Sequence, residues 1–127
     1  MEIFFQAFLN VLSPKNLLAM ILLIPLGMMA GALPGFTATM AVSILVPFTF
    51  VMDPIMGLIS VSAVYCSAIY GGAFPAILIN TPGTPSSIAT CFDGYPMAQQ
   101  GRAQEALFTI AFASLVGGFI GTVGLIA

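Results

Sequence analysis

Ala76-Ile77-Leu78-Ile79-Asn80-Thr81-Pro82-Gly83-Thr84-Pro85-Ser86-Ser87 is an apolar stretch that runs into a Pro-Gly pair and then into small hydroxyl residues without meeting a charge. It lies within the 39 residues from 54 to 92, between Asp53 and Asp93, none of which is charged. The 37 residues from 16 to 52, between Lys15 and Asp53, are also uncharged and are broken by Pro34-Gly35. A spanning helix needs about 20 predominantly apolar residues, so each run can hold two crossings, or one crossing and a re-entrant piece. Apolar segments interrupted by Pro-Gly at comparable places are the sequence pointer to a transporter site built from broken helices.

Composition leads to the same class. Hydrophobic residues make up 60% of the 127 and charged residues 5%, against about 25% charged in an average soluble domain. Two basic and four acidic side chains could not cover the surface of a soluble domain of this size, so an integral membrane protein is expected. The net charge of -2 implies no partner, and two basic residues exclude a nucleic-acid footprint. Met1-Glu2-Ile3-Phe4 lacks the basic region of a secretory signal. Cys66 and Cys91 have no metal-ligand spacing and are expected to be packed thiols.

Working outward, residues 2–12 place Ile3, Phe4, Ala7, Phe8 and Val11 on one helical stripe, which predicts a short interfacial helix. Ser13-Pro14 reads as cap and first residue of a membrane helix over 15–33. A second is expected over 36–51. A third, opened by Asp53 as cap and Pro54, is expected over 54–79. Residues 80–101 form a structured or re-entrant loop, and a last helix spans 103–127. The fold class is therefore all-α, with about four transmembrane or re-entrant helices, some broken at Pro-Gly. The pattern is still apolar at Ala127, so the expectation is a fragment, the N-terminal part of a longer transporter. Small residues at a spacing of four (Gly27, Gly31, Gly35; Ala63, Ser67, Gly71; Ala113, Gly117, Gly121) are read as close helix contacts, because in lipid such residues let backbones approach.

The two breaks are the candidate site. Thr84 can cap a short helix beginning at Pro85 and running to about Phe92, leaving the amides of Ser86 and Ser87 free. After Pro34-Gly35, the amides of Phe36, Thr37 and Ala38 open the second helix in the same way. Free amides and the helix dipole attract a carboxylate without a lysine or arginine. The expected substrate-binding residues are Pro34, Gly35, Thr37, Asn80, Thr81, Pro82, Gly83, Thr84, Ser86 and Ser87, with Thr39 offering a further hydroxyl. Carbonyls freed by Pro82 and Pro85 suit a hard cation such as sodium, and Asn80, Thr81 and Asp93 are candidates for ion coupling. The plainer alternative is that each Pro-Gly only turns the chain at the membrane surface, with Asp93-Gly94 a turn after the short helix. Tyr65, Tyr70 and Tyr95 read as interfacial anchors, and Arg102 with Glu105 as a solvated pair.

Catalysis is not expected. There is no histidine, no GxSxG elbow and no lysine after Gly83 to make a phosphate loop. Both aspartates are read at helix ends rather than paired within helices. No catalytic residue, metal site or cofactor is assigned.

Gly31-Ala32-Leu33-Pro34-Gly35, Leu45-Val46-Pro47-Phe48-Thr49-Phe50, Tyr70-Gly71-Gly72, Ala76-Ile77-Leu78-Ile79-Asn80-Thr81-Pro82-Gly83-Thr84-Pro85 and Asp93-Gly94-Tyr95-Pro96-Met97-Ala98 with Gly101 occur in this order. Together they resemble the large membrane subunit of the tripartite tricarboxylate transporters, the TctA family, in its N-terminal part. The resemblance implies a bacterial inner-membrane importer of citrate-like carboxylates, driven by a sodium or proton gradient. It implies two partners, a small membrane subunit and a periplasmic solute-binding protein, and a second, related half that makes this the first half of an inverted-repeat secondary transporter. An elevator-like movement of the broken region is also implied. Gln99-Gln100 and Cys91-Phe92 depart from the family pattern. Lys15 and Arg102 leave the topology open, since four simple crossings cannot give both a cytoplasmic place without a re-entrant segment. Another secondary carrier or channel, or a structural subunit without a site, remains the alternative.

Overall fold

The computed structural model describes residues 2–126, and no strand occurs among them. Helix α1 covers Glu2–Val11, α2 Pro14–Ala32, α3 Ala38–Thr49, α4 Pro54–Gly71, α5 Ala73–Ile79, α6 Ile88–Gln99 and α7 Ala103–Ile126. A 3-10 turn, Pro85–Ser87, leads into α6. Pro14–Ala32, Pro54–Ile79 and Ala103–Ile126 are long and apolar enough to cross a bilayer, which makes this an all-α membrane protein. Ala127, included in the expected last helix, lies outside the described residues.

Prolines start the two central helices. Pro14 and Pro54 occupy first-turn positions, where the missing N–H costs nothing. Asp53 was expected to cap α4, but its side chain makes no cap hydrogen bond. Instead Asp53 Oδ2 accepts from Lys15 Nζ at 2.7 Å. The Lys15 ammonium at the neighbouring helix start takes the carboxylate that would otherwise accept from an amide in the first turn of α4.

Helices α2 and α4 run side by side in the same direction from that ion pair. A Cβ at Gly27 would collide with Ser67 and Val64, one at Gly31 with the Ala68 carbonyl, and one at Gly71 with the Met28 carbonyl. Gly27, Gly31, Ser67 and Gly71 of the first two stripes are therefore contacts at backbone distance, whereas a Cβ at Gly35 would meet nothing within 4 Å. Helix α3 packs antiparallel on α4. Thr49 lies against Gly57 at its end, and Ala38 and Ala41 sit with Val64 and Ala68 at its start.

Residues 80–101, read as a loop, are mostly helical. Helix α6 continues seven residues past the expected stop at Phe92, through Asp93-Gly94 and Pro96, to Gln99. Gly94 is not a turn: it is buried, and a Cβ there would stand 2.8 Å from Ile77 Cγ1, so this glycine is where α6 crosses α5. The expected 54–79 helix is in turn divided at Gly72, whose backbone (φ -63°, ψ -16°) carries the chain from α4 into α5.

Helix α7 packs on α5 and α6. Its small-residue stripe differs from the other two: a Cβ at Gly117 or Gly121 meets nothing within 4 Å. The thiols also depart from expectation. Cys66 is exposed, and Cys91 is half-buried with its Sγ 3.8 Å from the Ser87 carbonyl.

Candidate functional site: a cavity at two helix starts

Each break ends one helix and starts another with a capping hydroxyl. At the first, Gly35 adopts the left-handed backbone (φ 87°) that L side chains rarely tolerate. The Phe36 amide, expected to be free, donates to the Leu33 carbonyl at 3.0 Å and closes the turn. Thr37 is then extended and accepts from the Met40 amide on Oγ1 at 3.3 Å, and α3 begins at Ala38. The open end thus lies one or two residues later than expected.

At the second break, Asn80 ends α5 in the left-handed region (φ 55°, ψ 30°), a conformation asparagine tolerates better than most residues. The extended stretch from 81 to 84 then returns to the α4–α5 joint. The Gly83 amide donates to the Gly72 carbonyl at 3.1 Å. A Cβ at Gly83 would collide with the Gly31 carbonyl, and one at Gly72 would stand 2.6 Å from Thr84 Oγ1. Three glycines from three elements therefore let the motif lie directly on backbone. Thr84 and Ser87 are both buried and cap each other: Ser87 Oγ accepts from the Thr84 amide at 3.2 Å and donates to the Thr84 carbonyl at 2.7 Å.

The two starts converge. A cavity of about 290 Å³ is bounded by Thr37, Ala38 and Thr39 from the first break and by Thr84, Pro85 and Ser86 from the second. Tyr65 and Ile69 of α4 complete it. No charged side chain lines it; it offers hydroxyls and the positive ends of two helix dipoles, a setting that favours an anion. Thr84 Oγ1 lies 3.1 Å from Ser86 Oγ, so the two hydroxyls can act together.

Of the expected site residues, the structure brings Thr37, Thr84 and Ser86 together, with Thr39. Pro34 and Gly35 shape the turn that precedes Thr37. Pro82 and Gly83 hold the second break against α2 and α4. Ser87 is spent on the cap, and its carbonyl-bound amide is not free: it donates to Thr84 O at 3.0 Å. Asn80 and Thr81 are exposed at the end of α5, Thr81 Oγ1 donating to the Ile79 carbonyl at 3.2 Å. Asp93 is exposed on α6, and no hydrogen bond joins it to Asn80 or Thr81 among the described residues. Tyr65 and Ile69 were missed as site residues. Their only signal was their spacing of four, which puts them on one face of α4.

The family model described as "Tripartite tricarboxylate transporter TctA family" matches residues 17–127. A relative from Agrobacterium vitis, described as an uncharacterized 52.8 kDa protein in the TAR-I ttuC' 3' region, is 43% identical over 115 residues. The match covers 91% of this chain but 23% of the relative, so the chain spans about a quarter of that protein's length. No solved structure matches. With the broken-helix motifs and nearly the whole chain inside the match, this membrane protein belongs to the tripartite tricarboxylate transporter TctA family.

Proposed function

We propose that the chain serves in the large membrane subunit of a binding-protein-dependent secondary transporter. That transporter imports tricarboxylates or related carboxylates across the bacterial inner membrane, driven by a sodium or proton gradient. A small membrane subunit and a periplasmic solute-binding protein would complete it. Family membership supports the transport class. The observation that carries the site is the convergence of Thr37–Thr39 and Thr84–Ser86 on one uncharged cavity. There, amides and hydroxyls replace the water around a substrate carboxylate, and neither start must give up an ion pair to do so.

The test is uptake of radiolabelled citrate, with other di- and tricarboxylates as competitors, by cells carrying the whole transporter. Ser86→Ala removes one hydroxyl from the cavity and no cap. A hydrogen bond to a charged group contributes about 1.5–3 kcal/mol, so an uptake loss of about tenfold or more is expected. Unchanged uptake by Ser86→Ala and Thr39→Ala, at normal membrane levels, would remove the cavity from the substrate path.

A further inference from the structure

On the face of the α2–α4 pair away from α3 runs an apolar groove of about 620 Å³. Met20, Ile24 and Met28 form one wall and Leu58, Ser62 and Cys66 the other, with Val11 of α1 at one end. At that same end lies a second, polar hollow of about 270 Å³ holding Asn10, Asn16, Lys15 and Asp53. The two adjoin, Asn10 of the hollow and Val11 of the groove being consecutive on α1. Asn16, Met20, Ile24 and Met28 are four apart on α2, and Ile55 of the polar hollow lies one turn before Leu58 on α4. From Asn16 to Met28 is about 18 Å at 1.5 Å per residue, close to half of the ~30 Å hydrocarbon thickness.

Charge at the polar end is paired but not sealed. Lys15 Nζ and Asp53 Oδ2 are 2.7 Å apart, and their side chains are 66% and 71% exposed. The ammonium keeps further N–H donors and the carboxylate a second oxygen. A phosphate and a primary ammonium held a few atoms apart would complete an alternating square of charges with this pair. An anionic headgroup would meet Asp53, and a quaternary amine would bring no N–H to it. We propose that the groove and the Lys15–Asp53 pair bind one phosphatidylethanolamine. Its phosphate sits at Lys15, its ammonium at Asp53, and an acyl chain lies between Met20–Met28 and Leu58–Cys66. Flexible methionines on one wall suit a chain without fixed shape. Asn16 Nδ2 donates to the Asn10 carbonyl at 2.7 Å and holds α1 beside the headgroup end.

Cys66, at the far end of the groove, is the reporter. The whole protein, in a Cys91→Ser background and delipidated in detergent, is alkylated with a membrane-permeant maleimide, and the Cys66 peptide is followed by mass spectrometry. Phosphatidylethanolamine is expected to slow alkylation about fivefold or more at a level where phosphatidylcholine and phosphatidylglycerol of the same chains change it less than about twofold, a gap of roughly 0.5 kcal/mol or more. Lys15→Gln and Asp53→Asn should each reduce phosphatidylethanolamine to the level of phosphatidylcholine. Ser62→Phe, which fills the groove from an exposed position without touching the pair, should abolish protection by lipid. Equal protection by the three lipids, or headgroup preference that survives Lys15→Gln, overturns the proposal. So does Cys66 that is protected without lipid, which would mean that protein already covers it, in the groove or from the α7 side.

Discussion

Ser86 and Ser87 are adjacent, yet only Ser86 lines the cavity between the helix starts; Ser87 is buried in the cap of Thr84. Their exchangeability in sequence is why the site was only partly legible there. Hydroxyls after a Pro-Gly break announce a helix start with free donors, and this found Thr37, Thr84 and Ser86. Which of two neighbouring serines turns inward depends on the 3-10 geometry of Pro85–Ser87, which no local pattern encodes. The two are separable by experiment. Ser87→Ala should lower the thermal midpoint of the detergent-purified protein, because the buried Thr84 amide loses its acceptor at a cost of about 1–3 kcal/mol. Ser86→Ala should leave that midpoint in place and act on uptake. Gly83 gives the complementary case. A Cβ there meets the Gly31 carbonyl and stands 2.8 Å from Gly72 Cα, both backbone atoms that cannot swing aside. Overpacking of this kind costs about 1–3 kcal/mol, so Gly83→Ala should be destabilising. Gly121→Ala, with nothing within 4 Å, serves as the neutral control. Equal thermal midpoints for the two variants would show that the motif loop does not rest on Gly31 and Gly72.

Among the elements, starts were easier to read than ends. Ser13-Pro14, Asp53-Pro54 and Thr84-Pro85 each mark an observed helix start because proline is favoured at the first position, whatever lies further along. Asp93-Gly94 failed as a stop signal because a glycine that permits a helix crossing and one that ends a helix look the same locally. Asp53 shows the same limit: aspartate before proline was read as a cap, and only the tertiary structure brings Lys15, 38 positions away, to its side. That contact ties the starts of α2 and α4 and has a pH signature. Its hydrogen bond and charge hold the Asp53 carboxyl below its ordinary value, which is about 3.9. A lowered folded-state pKa gives a contribution fully present above the ordinary value and lost as pH falls through the lowered one. The difference in thermal midpoint between wild type and Lys15→Gln should therefore be small and constant from pH 5 to 8, and should vanish only in acid below about pH 4. A difference that already fades between pH 7 and 5 would mean that another group controls it.

At the scale of the whole molecule, the packing contacts order the helices across the membrane. Helices α2 and α4 start together at the Lys15–Asp53 pair, α3 returns between them, and α5 continues beyond Gly72. The stretch 80–84 comes back to Gly72, and α6 then advances past Ile77 at Gly94, in the same sense as α5. Gln99 and Arg102 consequently lie at the end remote from Lys15, and α7 runs back from there along Cys66, Tyr70 and Ser86. The hydrophobic pattern predicted crossings but could not supply this order. It gave three equivalent stripes of small residues, of which α7's finds no partner among the described residues, and it left the two basic residues without an assigned side. In the structure the turn at 80–84 adds a return and an advance, which cancel, so Lys15 and Arg102 lie at opposite ends of the helix assembly. Single cysteines at Ser13 and Gln100, in a background without Cys66 and Cys91, should therefore react with a membrane-impermeant maleimide from opposite sides. One should label in intact spheroplasts and the other only after permeabilisation. Reaction of both from one side would mean one crossing more or fewer between Ser13 and Gln100 than the packing order gives.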